Sequence, residues 1–464
     1  MPTGASPPAV DEYPLADHYR LEMYAPQVGV GARVSVGQWI GNEGPPGDTA
    51  AAVRVHAPVT GEVTTLEGTT AGSTLLTVTR EDAVADEVAP HAIPADCWLT
   101  PLNPETVSLT AFLDRLNEAG IVGLGGGGFP TAAKVALATG NGPAHAVVVN
   151  AVACEAGIDS DALILATALP AVATALGALR RVTGAPVVFA LGARFKGDAD
   201  RVRAWLNASV PDAELRQIPE APAAGAERLL IDTLFRDSDR LRSVRDGQPP
   251  TAAGLLCLNL ATLNAIGRAL TNGEPLVRRA VTLAGSNHWL RIGHPFNALG
   301  IEGALRGGGF LSGTCVSREQ AVRKTTLAIH PAVARPLPDP CISCGRCRNA
   351  CPLDLDAEWL YRWIERPKAT SSRRQELERN GLDRCFECGY CNLACPSDID
   401  LLAALRAGKA DLRGARQAET AQANASQRFI EREARRDANE RAAAERRAAR
   451  LAKRRQPPSS ADHG

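Results

Sequence analysis

Apolar and polar positions change character several times along the chain. From Val28 to Arg80 short β-branched runs are broken by glycines, which predicts a series of short strands. Residues 1–27 contain prolines and little patterning, and read as a tail. "SLTAFLDRLNEAG" sets Leu109, Phe112, Leu113 and Leu116 at helical spacing, with Ser108 as N-cap and Gly120 as the stop. Continuous apolar runs then alternate with helical ones. "AHAVVVNA" and "PVVFALGA" suit buried parallel strands, and "AELRQIP" adds another. "DALILATALPAVATALGALRRV", interrupted at Pro170, "GDADRVRAWLNA" and "GAERLLIDTLF" suit helices. This β-α-β-α-β order predicts a doubly wound sheet. "LLCLNLATLNAIGRALTNGEPL" reads as one helix ending near Asn272-Gly273, and "RAVTLAGSNHWLRIGHPFNALGIEG" as short strands of a second β module reaching Lys324. From Arg413 to Arg455 alanine, arginine and glutamate dominate, which predicts an exposed helix or disorder.

One stretch obeys a different rule. The pattern C-x-x-C-x-x-C-x-x-x-C-P occurs as Cys341, Cys344, Cys347, Cys351 and again as Cys385, Cys388, Cys391, Cys395, with Gly345/Gly389 and Pro352/Pro396 in register. Three closely spaced thiolates can cap three corners of a cubane, while the fourth, before proline, reaches the neighbouring cluster. Cys341, Cys344, Cys347 and Cys395 are therefore assigned to one [4Fe-4S] cluster, and Cys385, Cys388, Cys391 and Cys351 to the other. Paired zinc sites would favour separated C-x-x-C pairs or histidine, and neither run contains histidine. Disulfides would need an oxidising compartment, and the N-terminus has no resemblance to a secretory signal. Two adjacent clusters make a wire, so the chemistry indicated is electron transfer. Between the runs, Trp359, Leu360, Trp363 and Ile364 form a helical face expected to pack against the clusters and shield them. Cys97, Cys154, Cys257 and Cys315 have apolar or small neighbours and read as packing residues.

Composition narrows the partners. At 464 residues the chain predicts about three domains. Its 51 basic and 51 acidic residues balance, which leaves no basic excess for nucleic acid. No apolar run approaches the roughly twenty residues that span a bilayer. The chain is expected to be soluble or peripheral to a membrane, in a reducing compartment such as the cytoplasm.

The glycine-rich segment Gly123-Leu-Gly-Gly-Gly-Gly-Phe-Pro-Thr-Ala-Ala-Lys134 lies between two predicted helices. Gly123, Gly125, Gly126, Gly127 and Gly128 permit close approach to a ligand, and Pro130 suits the first position of the next helix. Amides at that helix start, with Lys134, would make an anion site suited to a nucleotide phosphate; a plain flexible linker is the other reading. Asn150 and Glu155 fall at the carboxyl end of the first parallel strand, where ligands bind in such sheets. Asn150 could bond a flavin or nicotinamide edge and Glu155 a ribose hydroxyl, or both could cap the following helix.

Two resemblances follow from these segments. "GARVSVGQWIG" and "VHAPVTGEVTTLEG", with Gly61 at the turn, resemble the barrel-sandwich hammerhead of biotinyl and lipoyl domains; the first lysine is Lys134, so no swinging arm is expected. From Val28 to about Lys409 the chain resembles the C subunit of the Rnf ion-translocating electron-transport complex. "GLGGGGFPTAAK" is similar to the glycine loop which that family shares with the flavin-binding subunit of respiratory complex I. "GAERLLI", "TLNAIGRAL" and "RIGHP" match related segments, the last pair leading into a β-grasp module.

The resemblance implies an α/β multidomain protein: tail 1–27, hammerhead 28–95, Rossmann-like doubly wound FMN/NADH-type domain 96–270, β-grasp (SLBB-like) module 271–330, two-cluster ferredoxin domain 331–410, and charged tail 411–464. It implies a peripheral subunit on the cytoplasmic side of the bacterial inner membrane. Electrons would pass between NADH and a ferredoxin-like subunit through FMN and the two clusters, with A, B, D, E and G subunits as partners. The FMN would be held by the five glycines named above, Lys134, Asn150 and Glu155. The family pattern N-x-x-E-x-E-P departs here at Ala153 and Ala156, and "GGGFLSGTCV" replaces a segment with prolines and methionines. One carboxylate acceptor is thereby lost. A relay without nucleotide chemistry, or a soluble flavin and iron-sulfur reductase such as a cobalamin reductase, would use the same parts.

Overall fold

The described pairings among the N-terminal strands are all antiparallel. The computed structural model describes residues 12–44, 53–70, 72–81, 98–140, 142–236, 244, 248–366 and 371–455. β1 (His18–Met23), β2 (Arg33–Val34), β5 (Gly61–Gly68) and β6 (Thr74–Arg80) form one sheet in the order β1-β6-β5-β2, while β3 (Trp39–Glu43) and β4 (Val53–His56) pair separately. β1 lies inside the stretch expected to be a tail. Its alternation buries Tyr19, Leu21 and Met23, and all six residues pair with β6, so period two prevails despite the flanking prolines.

The central sheet is parallel. β7 (Ala146–Ala151), β8 (Val187–Gly192), β9 (Glu214–Ile218) and β10 (Leu255–Asn259) lie in the order β10-β7-β8-β9. Val147 and Val149 of β7 enter one apolar core and Ala146 and Val148 the opposite one, so both faces are covered. That explains the unbroken apolar runs. The helices are α1 (Leu109–Glu118), α2 (Thr131–Thr139), α3 (Ser160–Thr167), α4 (Leu169–Thr183), α5 (Ala199–Ser209), α6 (Glu227–Leu234) and α7 (Leu260–Thr271). α3 and α4 are bent by 88° where one long helix was interrupted by Pro170 in the sequence.

Leu255–Asn259 corrects the expected helix over this region. The five residues pair with β7, and Asn259 caps α7 by accepting from the Ala261 amide. Burial on both faces made this strand indistinguishable from a helix start by periodicity. α7 then packs closely on α4, because a Cβ at Gly267 would sit 1.9 Å from the Ala171 carbonyl oxygen.

β11 (Arg278–Leu283), β12 (Ser286–Arg291), β13 (Leu305–Gly307), β14 (Thr314–Val316) and β15 (Ala328–Pro331) form a mixed sheet in the order β12-β11-β15-β13-β14. The module therefore continues past Lys324. In the cysteine-rich segment two one-turn helices, α8 (Arg346–Asn349) and α11 (Tyr390–Leu393), pack on each other.

These elements belong to one compact unit, residues 1–354 with 386–399; residues 355–385 and 400–464 form a second. In the second, α9 (Ala357–Ile364) and α10 (Ser371–Arg379) accompany a 55-residue helix, α12 (Leu401–Arg455). Leu360 and Ile364 are buried with Leu402, Leu405 and Leu412, and a Cβ at Gly408 would meet Ile364 at 2.7 Å. The apolar side chains Leu360 and Ile364 thus pack on α12. Trp359 and Trp363 instead lie against each other, ring centroids 5.1 Å apart. α12 also runs through residue 410, where a domain boundary was expected.

Gly267→Ala is expected to force α4 and α7 apart and cost about 1–3 kcal/mol. Urea unfolding measures it, and an unchanged midpoint would show that the helices yield freely.

Candidate functional site

The carboxyl ends of β7 and β10 open into a cavity of about 350 Å³ in the larger unit. The glycine segment forms one wall. Its backbone closes on itself, with the Gly123 amide donating to Phe129 O at 2.8 Å and the Gly128 amide to Gly123 O at 3.0 Å. Leu124, inside the loop, is fixed from both sides: its amide donates to Thr262 Oγ1 at 2.9 Å, and its carbonyl accepts from Arg279 Nη2 at 3.0 Å. Gly123, Gly125 and Gly127 face the cavity. Gly126 and Gly128 are not among its lining residues. They have φ of 100° and 65°, and a Cβ there would meet Leu327 at 3.1 Å and Thr325 at 2.9 Å. These two glycines serve close packing behind the loop. Pro130 stands one position before α2, as its N-cap.

Lys134, Asn150 and Glu155 all line the cavity. Each is already engaged. Lys134 Nζ donates to Glu227 Oε2 at 2.9 Å and Cys257 O at 2.7 Å. Asn150 Nδ2 donates to Gly225 O at 2.8 Å, and its Oδ1 accepts from the Val152 amide at 3.1 Å. Glu155 Oε2 accepts from the amides of Leu311 and Ser312, both at 2.9 Å, and Oε1 accepts from the Ser312 hydroxyl. Neither Asn150 nor Glu155 caps α3; Glu155 instead holds the loop between β13 and β14. That loop passes over it at Gly309, where a Cβ would lie 2.2 Å from the carboxyl carbon.

Sequence reasoning missed Asn259, Glu227, Gly225 and Asp161. Asn259 lines the cavity and donates to both Asp161 carboxylate oxygens at 3.3 Å. Gly225 brings the next loop onto β7, since a Cβ would be 2.0 Å from Val152 O. Had Leu255–Asn259 been read as a strand, Asn259 at its carboxyl end would have been found by the rule that singled out Asn150. Burial pushes the Asp161 carboxyl up to about 7; Asp159 adds to this, and Asn259, Arg279 and Arg194 oppose it.

Phe386, Glu387 and Cys388 complete the cavity wall, so the second cysteine run borders it. The two runs share one backbone. Positive φ recurs at Ser343 and Glu387 (55° and 63°), Gly345 and Gly389 (69° and 79°), and Asp354 and Asp398 (53° and 52°). The start of the first run is tied to the end of the second: the Asp339 amide donates to Ser397 O at 2.9 Å, and Ser397 Oγ to Pro340 O at 3.1 Å. The eight cysteines of the two runs are free thiols. Of the cysteines expected to be packing residues, Cys257 is buried and its thiol pKa is raised by burial, whereas Cys154 and Cys315 are exposed and Cys154 lines the cavity. Cys97 lies outside the described residues.

Residues 116–268 match the Nuo51 FMN-binding domain, and residues 338–399 a 4Fe-4S dicluster domain. The C subunit of the ion-translocating oxidoreductase complex of Pseudomonas aeruginosa is 32% identical over 94% of this chain and 58% of its own length. The chain is a homologue of these C subunits. Those of Edwardsiella ictaluri and Serratia proteamaculans are 32% and 31% identical, over 59% and 56% of this chain and 36% and 39% of their own lengths. The chain thus spans less than two thirds of the length of these relatives. A solved chain of an NAD+-reducing [NiFe]-hydrogenase in the H2-reduced state gives a TM-score of 0.42 at 17% identity, covering 67% of each chain, too slight a likeness to weigh.

The cavity suits the flavin for which the first of these domains is named, whereas among the described residues no three cysteine, histidine or carboxylate side chains are gathered as a ready-made metal site. A cavity of this size, lined by glycine backbone, by apolar side chains such as Phe129, Leu258 and Phe386, and by a few polar ones, lies within the usual range for a cofactor. Two electrostatic consequences are measurable. Unfolded, Asp161 would titrate near 3.8; folded, near 7. Between those values the folded state alone keeps the proton, so stability falls as pH rises from about 4 to about 7. Asp161→Asn is expected to remove this slope and gain on wild type between about pH 4 and about pH 8 in urea unfolding, and parallel profiles would contradict it. Glu155→Ala is expected to release the Leu311 and Ser312 amides at a cost of about 1–3 kcal/mol. Faster hydrogen exchange at those two amides would show it; unchanged protection would contradict it.

Proposed function

We propose that the chain is the electron-transfer subunit of an Rnf-type ion-translocating oxidoreductase, with FMN in the cavity and a [4Fe-4S] cluster on each cysteine run. The observation that carries this reading is the cavity wall. It joins a glycine loop and strand ends of the kind that hold nucleotides to Cys388 of the second run. Bound FMN would accept two electrons from a hydride donor such as NADH and pass them on singly, as clusters require. The chain's own residues would prepare that site. Thr262 and Arg279 keep the loop closed through Leu124, which leaves Gly123, Gly125 and Gly127 facing the ligand. Lys134 would offer its ammonium to a phosphate while Glu227 restrains it. Asn150 and Asn259 set the edge at the strand ends, and the loop held by Glu155 closes the side toward the second run.

In this reading Cys385, Cys388, Cys391 and Cys351 hold the cluster next to the flavin, and Cys341, Cys344, Cys347 and Cys395 the farther one. The tie between Asp339 and Ser397 supports the exchange of fourth ligands, because it brings the two ends of the repeat together. β2–β6 would be the hammerhead, with β1 added from the stretch expected to be a tail, and β11–β15 the β-grasp module. The subunit would sit on the cytoplasmic side of a membrane and hand electrons to a ferredoxin-like partner, beside the complex's other subunits.

A relay without flavin is the second reading. It is favoured by Ala153 and Ala156 and by the internal partners of Lys134, Asn150 and Glu155. Anaerobic purification with flavin and iron analysis decides between them. FMN and about eight irons per chain, with NADH bleaching the cluster absorbance, are expected. Iron without flavin or NADH response would leave the relay. Cys347→Ser is expected to lower iron content and change the low-temperature EPR signal, since a hydroxyl is a poor replacement for thiolate; a wild-type signal would refute the ligand assignment.

A further inference from the structure

α12 spends its apolar residues early. Leu401, Leu402, Leu405 and Leu412 are buried, whereas Phe429, Ile430 and Leu451 are its exposed large apolar side chains. Beyond Leu412 the helix is held by little of its own core. Its charges are nevertheless not scattered. At about 100° per residue, Arg428, Arg432, Arg435, Arg436, Arg446, Arg447 and Arg450 fall within an arc of about 120° that extends about 33 Å along the axis. All seven are exposed. Glu431, Glu433, Asp437, Glu440 and Glu445 all lie outside that arc, as does Arg441. Arg436, at the edge of the face, pairs with Glu433 at 3.0 Å and Glu440 at 3.7 Å, and Arg435 donates to the Glu431 carbonyl oxygen at 3.3 Å. Among the described residues, Arg428, Arg432, Arg446, Arg447 and Arg450 have no carboxylate partner.

The three exposed apolar residues do not make a continuous stripe, so this helix is built neither for coiled-coil pairing nor for burial among acyl chains. An extended row of guanidinium groups, most of them without a carboxylate, fits an extended anionic surface. No described helix is long and apolar enough to cross a membrane. We propose that the arginine face of α12 lies against the anionic headgroups of a phospholipid bilayer. The choice of lipid rests on the function proposed above, because translocating ions requires a membrane; the face itself does not. Arginine suits the site because its fork bonds phosphate in two places and stays charged. Attraction of this kind acts through the surface potential and fades within a Debye length.

The test uses the full chain, purified anaerobically, and flotation with vesicles of phosphatidylglycerol mixed with phosphatidylcholine or of phosphatidylcholine alone. Binding to the mixed vesicles alone, weakened by salt, is expected. Each arginine on such a surface contributes about five-fold in partitioning, so Arg432→Gln with Arg446→Gln should lower it about twenty-five-fold. Arg413→Gln with Arg441→Gln removes the same charge outside the arc and should leave partitioning nearly unchanged. Circular dichroism, flavin and iron contents should match wild type in both variants. Equal losses in the two variants would overturn the face, and equal binding to both vesicle types would overturn the lipid. Displacement from the vesicles by duplex RNA or DNA at lower concentration than by free lipid would assign the face to nucleic acid instead. Absence of flavin and iron would sink the electron-transfer reading while leaving the vesicle result intact.

Discussion

The carboxylate of Glu155 is where the parts of the larger unit meet. Buried at the end of the first parallel strand, it accepts three hydrogen bonds from Leu311 and Ser312. A buried carboxylate needs such partners, because its desolvation would otherwise be costly. The loop it fixes lies close against the second cysteine run: a Cβ at Gly389 would be 2.6 Å from Leu311 O. Strand end, β-module loop and cysteine helix are therefore stacked without slack. Glycine at positions 309 and 389 is a condition of that stacking, since a methyl group at either would displace a neighbour.

A second set of buried charges holds the β11–β15 sheet in place. Glu274 pairs with Arg278 at 3.1 Å and with Arg268, and Arg278 with Glu12. Arg279 donates instead to the carbonyls of Leu124, Lys324 and Ala280, which joins the glycine loop to the strands behind it. Removing one partner from such an assembly leaves a charge buried and unsatisfied, so its members are constrained together. The glycine loop owes its shape to this scaffold as much as to its own composition.

Much of this was legible in the sequence, and the exceptions have physical causes. The alternation of strands and helices, the spacing of thiols and the break at Pro170 are local properties, and they appear where the residues placed them. Leu255–Asn259 misled because a strand buried on both faces loses its period of two. His18–Met23 keeps that period, but the prolines around it make the stretch read as a tail. The roles of Gly126, Gly128 and Glu155 depend on segments about 150 to 200 positions away, which no local pattern reports. The helix face of Leu360 and Ile364 was legible, but its partner at the start of α12 lies some distance along the chain, which no local pattern reports.

The doubled backbone of the cysteine runs bears on how the protein comes to exist at all. Ser343, Glu387, Asp354 and Asp398 hold left-handed conformations without being glycine, at an energetic disadvantage of order 1 kcal/mol or more each. The short helices between them bury few side chains. With clusters seated as proposed, iron–thiolate bonds supply what the local sequence withholds, and metal insertion becomes part of folding. Loss of iron would then loosen this segment's fold as well as interrupt the path of electrons through it.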